Sequence, residues 1–217
     1  MIGSYPSPQG GEEYAVTLDR DRPHRLLVLP ALFDEGNKLR HFTVQLMRRL
    51  DAAGIDCFLP DLPGCNESLA ALESQTLTTW REAAAAAATH FGATHQLTVR
   101  GGALVAAKLS GWSYVPVSGT SLLSGLMRAR IIASREAGVD ETRETLLEAG
   151  MYEGLQLAGS HLGPAMVSEL WAATASTSLI TIAQSEVGGA GLWLRAEPAH
   201  DQAQSDALAA LVANHLE

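Results

Sequence analysis

The sequence predicts one α/β domain: a mostly parallel sheet with helices on both faces. Short apolar runs alternate with longer segments of helical period, the pattern of strands joined by crossover helices. Turn residues such as Pro30, Gly54 and Gly92 fall between the two kinds of segment. The 217 residues, 47% hydrophobic and 18% charged, suffice for one sizeable core and are too few for two comfortable ones.

The elements follow in order. Met1 to Gly11 is polar, rich in Gly, Ser and Pro, and reads as a flexible N-terminus without the apolar centre of a signal peptide. Tyr14–Leu18 alternates weakly, as an edge strand does. Arg25–Leu29 is a buried strand stopped by Pro30. Leu39, Phe42, Leu46, Met47 and Leu50 share one helix face, and Gly54 ends that helix. Ile55–Leu59 is the next strand, followed by the tight loop Asp61-Leu62-Pro63-Gly64. The Ala-rich stretch from Leu77 to His90 is a helix by propensity.

Gln96–Val99 reads as a central strand, and Gly101-Gly102 opens a helix through Lys108. Ser113–Val117 is another strand. From about 120 to 174 the pattern turns helical (Leu122–Ile132, Glu141–Ala149, Pro164–Ala173), which predicts a helical insertion or cap within residues 1–217 rather than a second domain. Leu179–Ala183 and Gly191–Leu194 read as two final strands, and Ala207 to His215 as a closing helix.

A net charge of −9 without a Lys/Arg cluster argues against nucleic acid or an anionic membrane surface as partner. No stretch approaches the roughly 18 apolar residues of a membrane span. Two cysteines, Cys57 and Cys65, make no disulfide framework, and a reduced, cytoplasmic setting fits best. The seven histidines show no ligand spacing and the glycines no phosphate-binding fingerprint, so neither metal nor cofactor is expected. A small-molecule ligand, acyl or anionic, remains.

The order strand, Pro-rich turn, helix, strand, Asp-Leu-Pro-Gly, helix, strand, Gly-Gly is similar to that of the α/β-hydrolase fold. There a Gly-x-Ser-x-Gly elbow places the nucleophile on a strained turn after the central strand. The corresponding stretch is Thr98-Val99-Arg100-Gly101-Gly102-Ala103. It keeps the small residues but carries arginine at position 100. A guanidinium has no nucleophilic oxygen at any accessible pH and cannot form an acyl-enzyme.

Several segments together resemble a narrower family, the exosortase A system-associated hydrolases of the hydrolase 2 type. They are Pro30-Ala31-Leu32-Phe33-Asp34-Glu35-Gly36-Asn37-Lys38-Leu39-Arg40, Asp61-Leu62-Pro63-Gly64-Cys65, Trp80, Val99 to Ala103, Pro116 to Gly119, and Leu157-Ala158-Gly159 with Leu162 to Ala165. The similarity runs over roughly residues 24–173 and departs from the family's pattern at Asn66, Thr98 and Gly101. It implies an α/β-hydrolase fold, Arg in place of Ser at the elbow, and a place beside exopolysaccharide synthesis and protein sorting.

Arg100 at a poorly solvated elbow needs an anionic partner, and the Ala31–Asn37 loop offers Asp34 and Glu35, with Glu35 favoured. Asn37 belongs to the same segment. His200 precedes the last helix, where the fold keeps its catalytic histidine, and Glu186 would be the acid. The alternatives are that His200 merely approaches a helix capped by Asp201 or Ser205, and that Glu186 is a solvated loop carboxylate. Asp61 is either a site-rim residue or a turn former bonding its own backbone. Cys65 is an alternative nucleophile by element type, but its local sequence supplies no base. Two functions fit: a non-catalytic binding or accessory protein built on the hydrolase fold, or a hydrolase of ester or acyl bonds working through His200.

Overall fold

The computed structural model describes residues 1–216; Glu217, last in the span read as one domain, lies outside them. The sheet starts in the segment expected to be flexible. Ile2–Pro6 forms β1, which pairs antiparallel with β2 (Glu12–Leu18), Tyr5 opposite Glu13. The segment is ordered because Tyr5 is fully buried and its hydroxyl donates to the Asp61 carbonyl at 2.7 Å. Tyr14–Leu18 is therefore an inner strand, and β1 is the edge.

β3 (Arg25–Leu29) follows, then α1 (Asp34–Ala52), which starts earlier than its apolar spacing alone would place it. Asp34 and Glu35 thus stand in the first turn of a 19-residue helix instead of a loop, where the helix dipole favours carboxylates. β4 (Asp56–Pro60), α2 (Leu77–His90) and β5 (His95–Val99) come next. Thr76 caps α2 reciprocally with Thr79. After β5 the chain makes a 3-10 helix from Arg100 to Val105, shorter than the helix through Lys108 that the two glycines predict.

β6 (Gly111–Tyr114) leads to α3 (Gly119–Glu136) and α4 (Arg143–Glu153). A hairpin of β7 (Leu155–Leu157) and β8 (Ser160–Leu162) turns at Ala158-Gly159, both at positive φ, and precedes α5 (Pro164–Ala172). β9 (Ile180–Ile182), the short α6 (Gln184–Val187) and α7 (Gln202–Ala213) complete the chain. Gly191–Leu194 is not a strand: Leu192–Leu194 is a 3-10 turn. Its shape sets the Trp193 ring against Tyr114, centroids 6.1 Å apart, which an extended run would not do.

The sheet order is β1-β2-β4-β3-β5-β6-β9, with β4, β3, β5, β6 and β9 mutually parallel. Its two faces bury separate cores. α1 and α7 cover one, around Phe42, Leu46 and Leu208. α2 through α5 cover the other, around Trp80, Leu123 and Met166. Residues 119–172 thus pack into the same core as α2. Trp80 is fully buried and donates its Nε1 hydrogen to Pro63 O at 2.9 Å. Burial of such a side chain contributes about 3 kcal/mol or more, provided its N–H is satisfied as it is here.

Candidate functional site

β3 feeds α1 on one face of the sheet, while its neighbours β4 and β5 feed α2 and the Arg100 turn on the other. Chain paths that diverge to opposite faces leave a crevice beyond the carboxyl ends of the strands. β3 has one on each flank.

Arg100 occupies the β3/β5 crevice. It follows β5 directly at φ 53, in the left-handed region that costs a non-glycine residue about 1–3 kcal/mol. The sequence permits this turn because Gly101 and Gly102 come next. A Cβ on Gly102 would lie 2.6 Å from both Leu29 O and Pro30 O, so only glycine lets the turn press on the end of β3. The guanidinium donates from Nε to Glu35 Oε2 at 3.1 Å, from Nη2 to Glu35 Oε1 at 2.8 Å and from Nη1 to Val115 O at 3.2 Å. Trp193 covers it, the guanidinium carbon 4.1 Å from a ring centroid. The two side chains are only 12% and 13% exposed. Such bidentate, charge-assisted geometry leaves the cation fully compensated.

The structure brings Arg100 and Glu35 together but sends Asp34 elsewhere, to Lys38 Nζ at 3.0 Å. Asp61, 2% exposed, accepts Arg40 Nη1 and Asn66 Nδ2 on Oδ1, each at 2.8 Å. It anchors an ion pair with Arg40. Arg40, the partner of Asp61 and a residue of the cavity lining, is not singled out by the sequence. It stands in the helix stripe after Asn37-Lys38, and no local signal links it to Asp61.

The β3/β4 crevice holds a cavity of about 370 Å³. Leu32, Phe33, Leu62 and Leu72 give it apolar walls; Asn37, Lys38, Arg40 and Asn66 supply polar groups. Ala158 and Ser160 of the β7–β8 hairpin close one side. Cys65 also lines it, but burial, with Asp61 and Glu13 adding to it, pushes its thiol up to about 12. A thiol so protonated is no nucleophile at neutral pH. Leu32 separates the two crevices: it lines the cavity, and its Cβ and Cγ face Gly101 of the Arg100 turn.

His200 and Glu186 are not brought together. Among the described residues, no hydrogen bond or ion pair joins them. His200 Nε2 lies 3.1 Å from Ser205 Oγ, and its ring sits 4.8 Å from that of His41 on α1. Partial burial, then His41 and Arg49, lower its pKa. Glu186 is exposed and accepts the Ala183 backbone N–H at 2.6 Å, closing the first turn of α6. Asp201 caps α7 through Gln204 N at 3.1 Å.

No family model matches the chain, and no curated protein matches it in sequence. Solved structures do match. The α/β-hydrolase domain-containing protein 10 from mouse aligns over 100% of this chain and 98% of its own at 11% identity and TM-score 0.54. A protein of Agrobacterium vitis aligns over 100% and 97% at 15% identity and TM-score 0.50. The proline iminopeptidase-related protein of Thermus thermophilus is 22% identical over 70% of this chain, with TM-score 0.49, and the chain spans 56% of that protein's length. With its seven-stranded, mostly parallel sheet and helices on both faces, this chain has the α/β-hydrolase fold.

Proposed function

We propose that this is a non-catalytic member of the fold that binds a small ligand, with Arg100 standing where a serine hydrolase keeps its nucleophile. The carrying observation is the Arg100 turn. Arg100 directly follows the central strand at φ 53, which supports reading its turn as the counterpart of a nucleophile elbow. Its side chain is a guanidinium locked onto Glu35 and roofed by Trp193. The environments of His200, Glu186 and Cys65 support the same reading: the hydroxyl beside His200 belongs to Ser205, which is fully buried in α7 and donates to Asp201 O at 3.1 Å, Glu186 closes the first turn of α6, and the Cys65 thiol is held protonated.

The chain is read as one domain whose residues 120–174 form the helical insertion. The segments similar to exosortase-associated hydrolases extend the reading to an accessory role in exopolysaccharide or protein-sorting systems, in the cytoplasm. The test is incubation with p-nitrophenyl butyrate and octanoate and with a fluorophosphonate probe. Neither turnover nor labelling is expected; a labelled serine located by mass spectrometry would overturn the proposal.

A further inference from the structure

We infer that the β3/β4 crevice, and not the Arg100 crevice, is the ligand site, and that it takes a small carboxylate with an apolar body. The inference rests on the non-catalytic reading above and assigns its binding site.

Two arginines face the two crevices, and their hydrogen-bond states differ. Arg100 spends both edges of its guanidinium on Glu35 and Val115 O, and Trp193 covers its face. An anion arriving there would have to displace Glu35 from a bidentate pair. Arg40 gives one hydrogen bond, from Nη1 to Asp61; among the described residues its Nε and Nη2 have no acceptor. Lys38 likewise has one partner, Asp34, and an ammonium has three hydrogens to give. Both cations line the same cavity. They lie on the first two turns of α1, a 19-residue helix whose positive end points the same way.

The rest of the lining combines the polar Asn37, Asn66 and Ser160 and the Asp34 carboxylate, paired with Lys38, with a group of apolar side chains. Leu32, Phe33, Leu62 and Leu72 would enclose a hydrocarbon body, and about 370 Å³ falls at the small end of the range of ligand pockets. Spare donors and hydrocarbon walls lining one cavity match a carboxylate on an acyl chain or a small ring. An uncharged alcohol would leave the charged donors without an anion, and an amine would find the lining carboxylate, Asp34, already paired with Lys38.

Octanoate, octanol and octylamine titrated into the full chain by isothermal calorimetry test this. Octanoate is expected to bind saturably, with octanol about tenfold weaker or more and octylamine weaker still. Lys38→Met and Arg40→Gln should each weaken octanoate about tenfold, and Ser160→Trp, which fills the cavity from β8, should abolish it. Should Arg40→Gln fail to fold because Asp61 is left unpaired, Lys38→Met and Ser160→Trp carry the test. Equal affinity for the three probes, or undiminished octanoate binding by Ser160→Trp, would overturn the assignment. Absence of octanoate binding without turnover of p-nitrophenyl octanoate would overturn this inference alone; turnover of that ester would overturn the non-catalytic reading as well.

Discussion

Trp193 lies flat enough over Arg100 to put its ring centroid 4.1 Å from the guanidinium carbon, joining the end of the central strand to a loop that precedes the last helix. The same cation is held from the other side by Glu35. One helix start, one strand end and one late turn thus meet at a single charge, and the cost of disturbing any of them can be measured.

Glu35→Leu leaves the Arg100 guanidinium without its anion in a site where both side chains are nearly nine-tenths buried. The expected cost is about 2–4 kcal/mol, somewhat below that of a wholly enclosed pair. Adding Arg100→Met should recover most of it. Urea denaturation of the two variants decides: if the double variant is no more stable than Glu35→Leu, the two residues are not energetically coupled.

Restoring a hydroxyl does not restore a hydrolase. Arg100→Ser supplies an oxygen, but His200, the base expected from the sequence, is next to Ser205 and His41 instead. No fluorophosphonate labelling of the introduced serine is expected, together with a loss of stability from unpaired Glu35. Labelling at that position would show that a base reaches the turn.

Glycine is required at one position and dispensable at another. Gly102→Ala drives a Cβ to 2.6 Å from two backbone oxygens and should cost about 1–3 kcal/mol or more. Gly125, exposed within α3, has nothing within 4 Å of its would-be Cβ, so Gly125→Ala should stabilise by about 0.5–1 kcal/mol. Thermal unfolding in which both shift in the same direction would contradict this account.

Much of the fold was legible from the chain. Four of the five parallel strands announced themselves as apolar runs bounded by proline and glycine, because strands buried on both faces can carry little else. β1 was not legible: an edge strand with one solvated side has no such run, and Tyr5 alone anchors it. Trp193 looked like part of a strand because apolar composition does not separate a short strand from a 3-10 turn. Of the site, the Arg100–Glu35 pair could be anticipated, since a buried cation requires an anion nearby. Arg40–Asp61 could not, because it depends on how α1 lies across β4. The position of His200 depends equally on tertiary packing: a histidine before a helix can face the strand ends or, as here, the flank of α1.

Glu141 offers a pH test of the α3–α4 connection. Its carboxylate accepts from Arg130 and Ser134, and Arg130 also holds Gln156 O of β7 at 3.1 Å. The bonds to Arg130, then Ser134, lower its pKa from 4.5 to about 2. A folded-state value below the unfolded one makes the contribution complete above pH 4.5 and lost as pH falls towards 2. The Tm gap between the native chain and Glu141→Gln should therefore be widest near neutrality and close on acidification. A gap that widens below pH 4 would contradict the pairing.

The sheet's two margins have a further consequence, for self-association. β9 offers only three residues before α6 begins at Gln184, and β1 is five residues long with Pro6 at its end. Strands so short and interrupted are poor templates for another chain, although Ile2 and Ile180 lie exposed on them. The interior strand β3, whose Leu26–Leu29 are fully buried leucine and valine, is the aggregation-prone part of this polypeptide. Concentrated native solutions should therefore stay clear, with fibre formation confined to conditions that open the sheet from within.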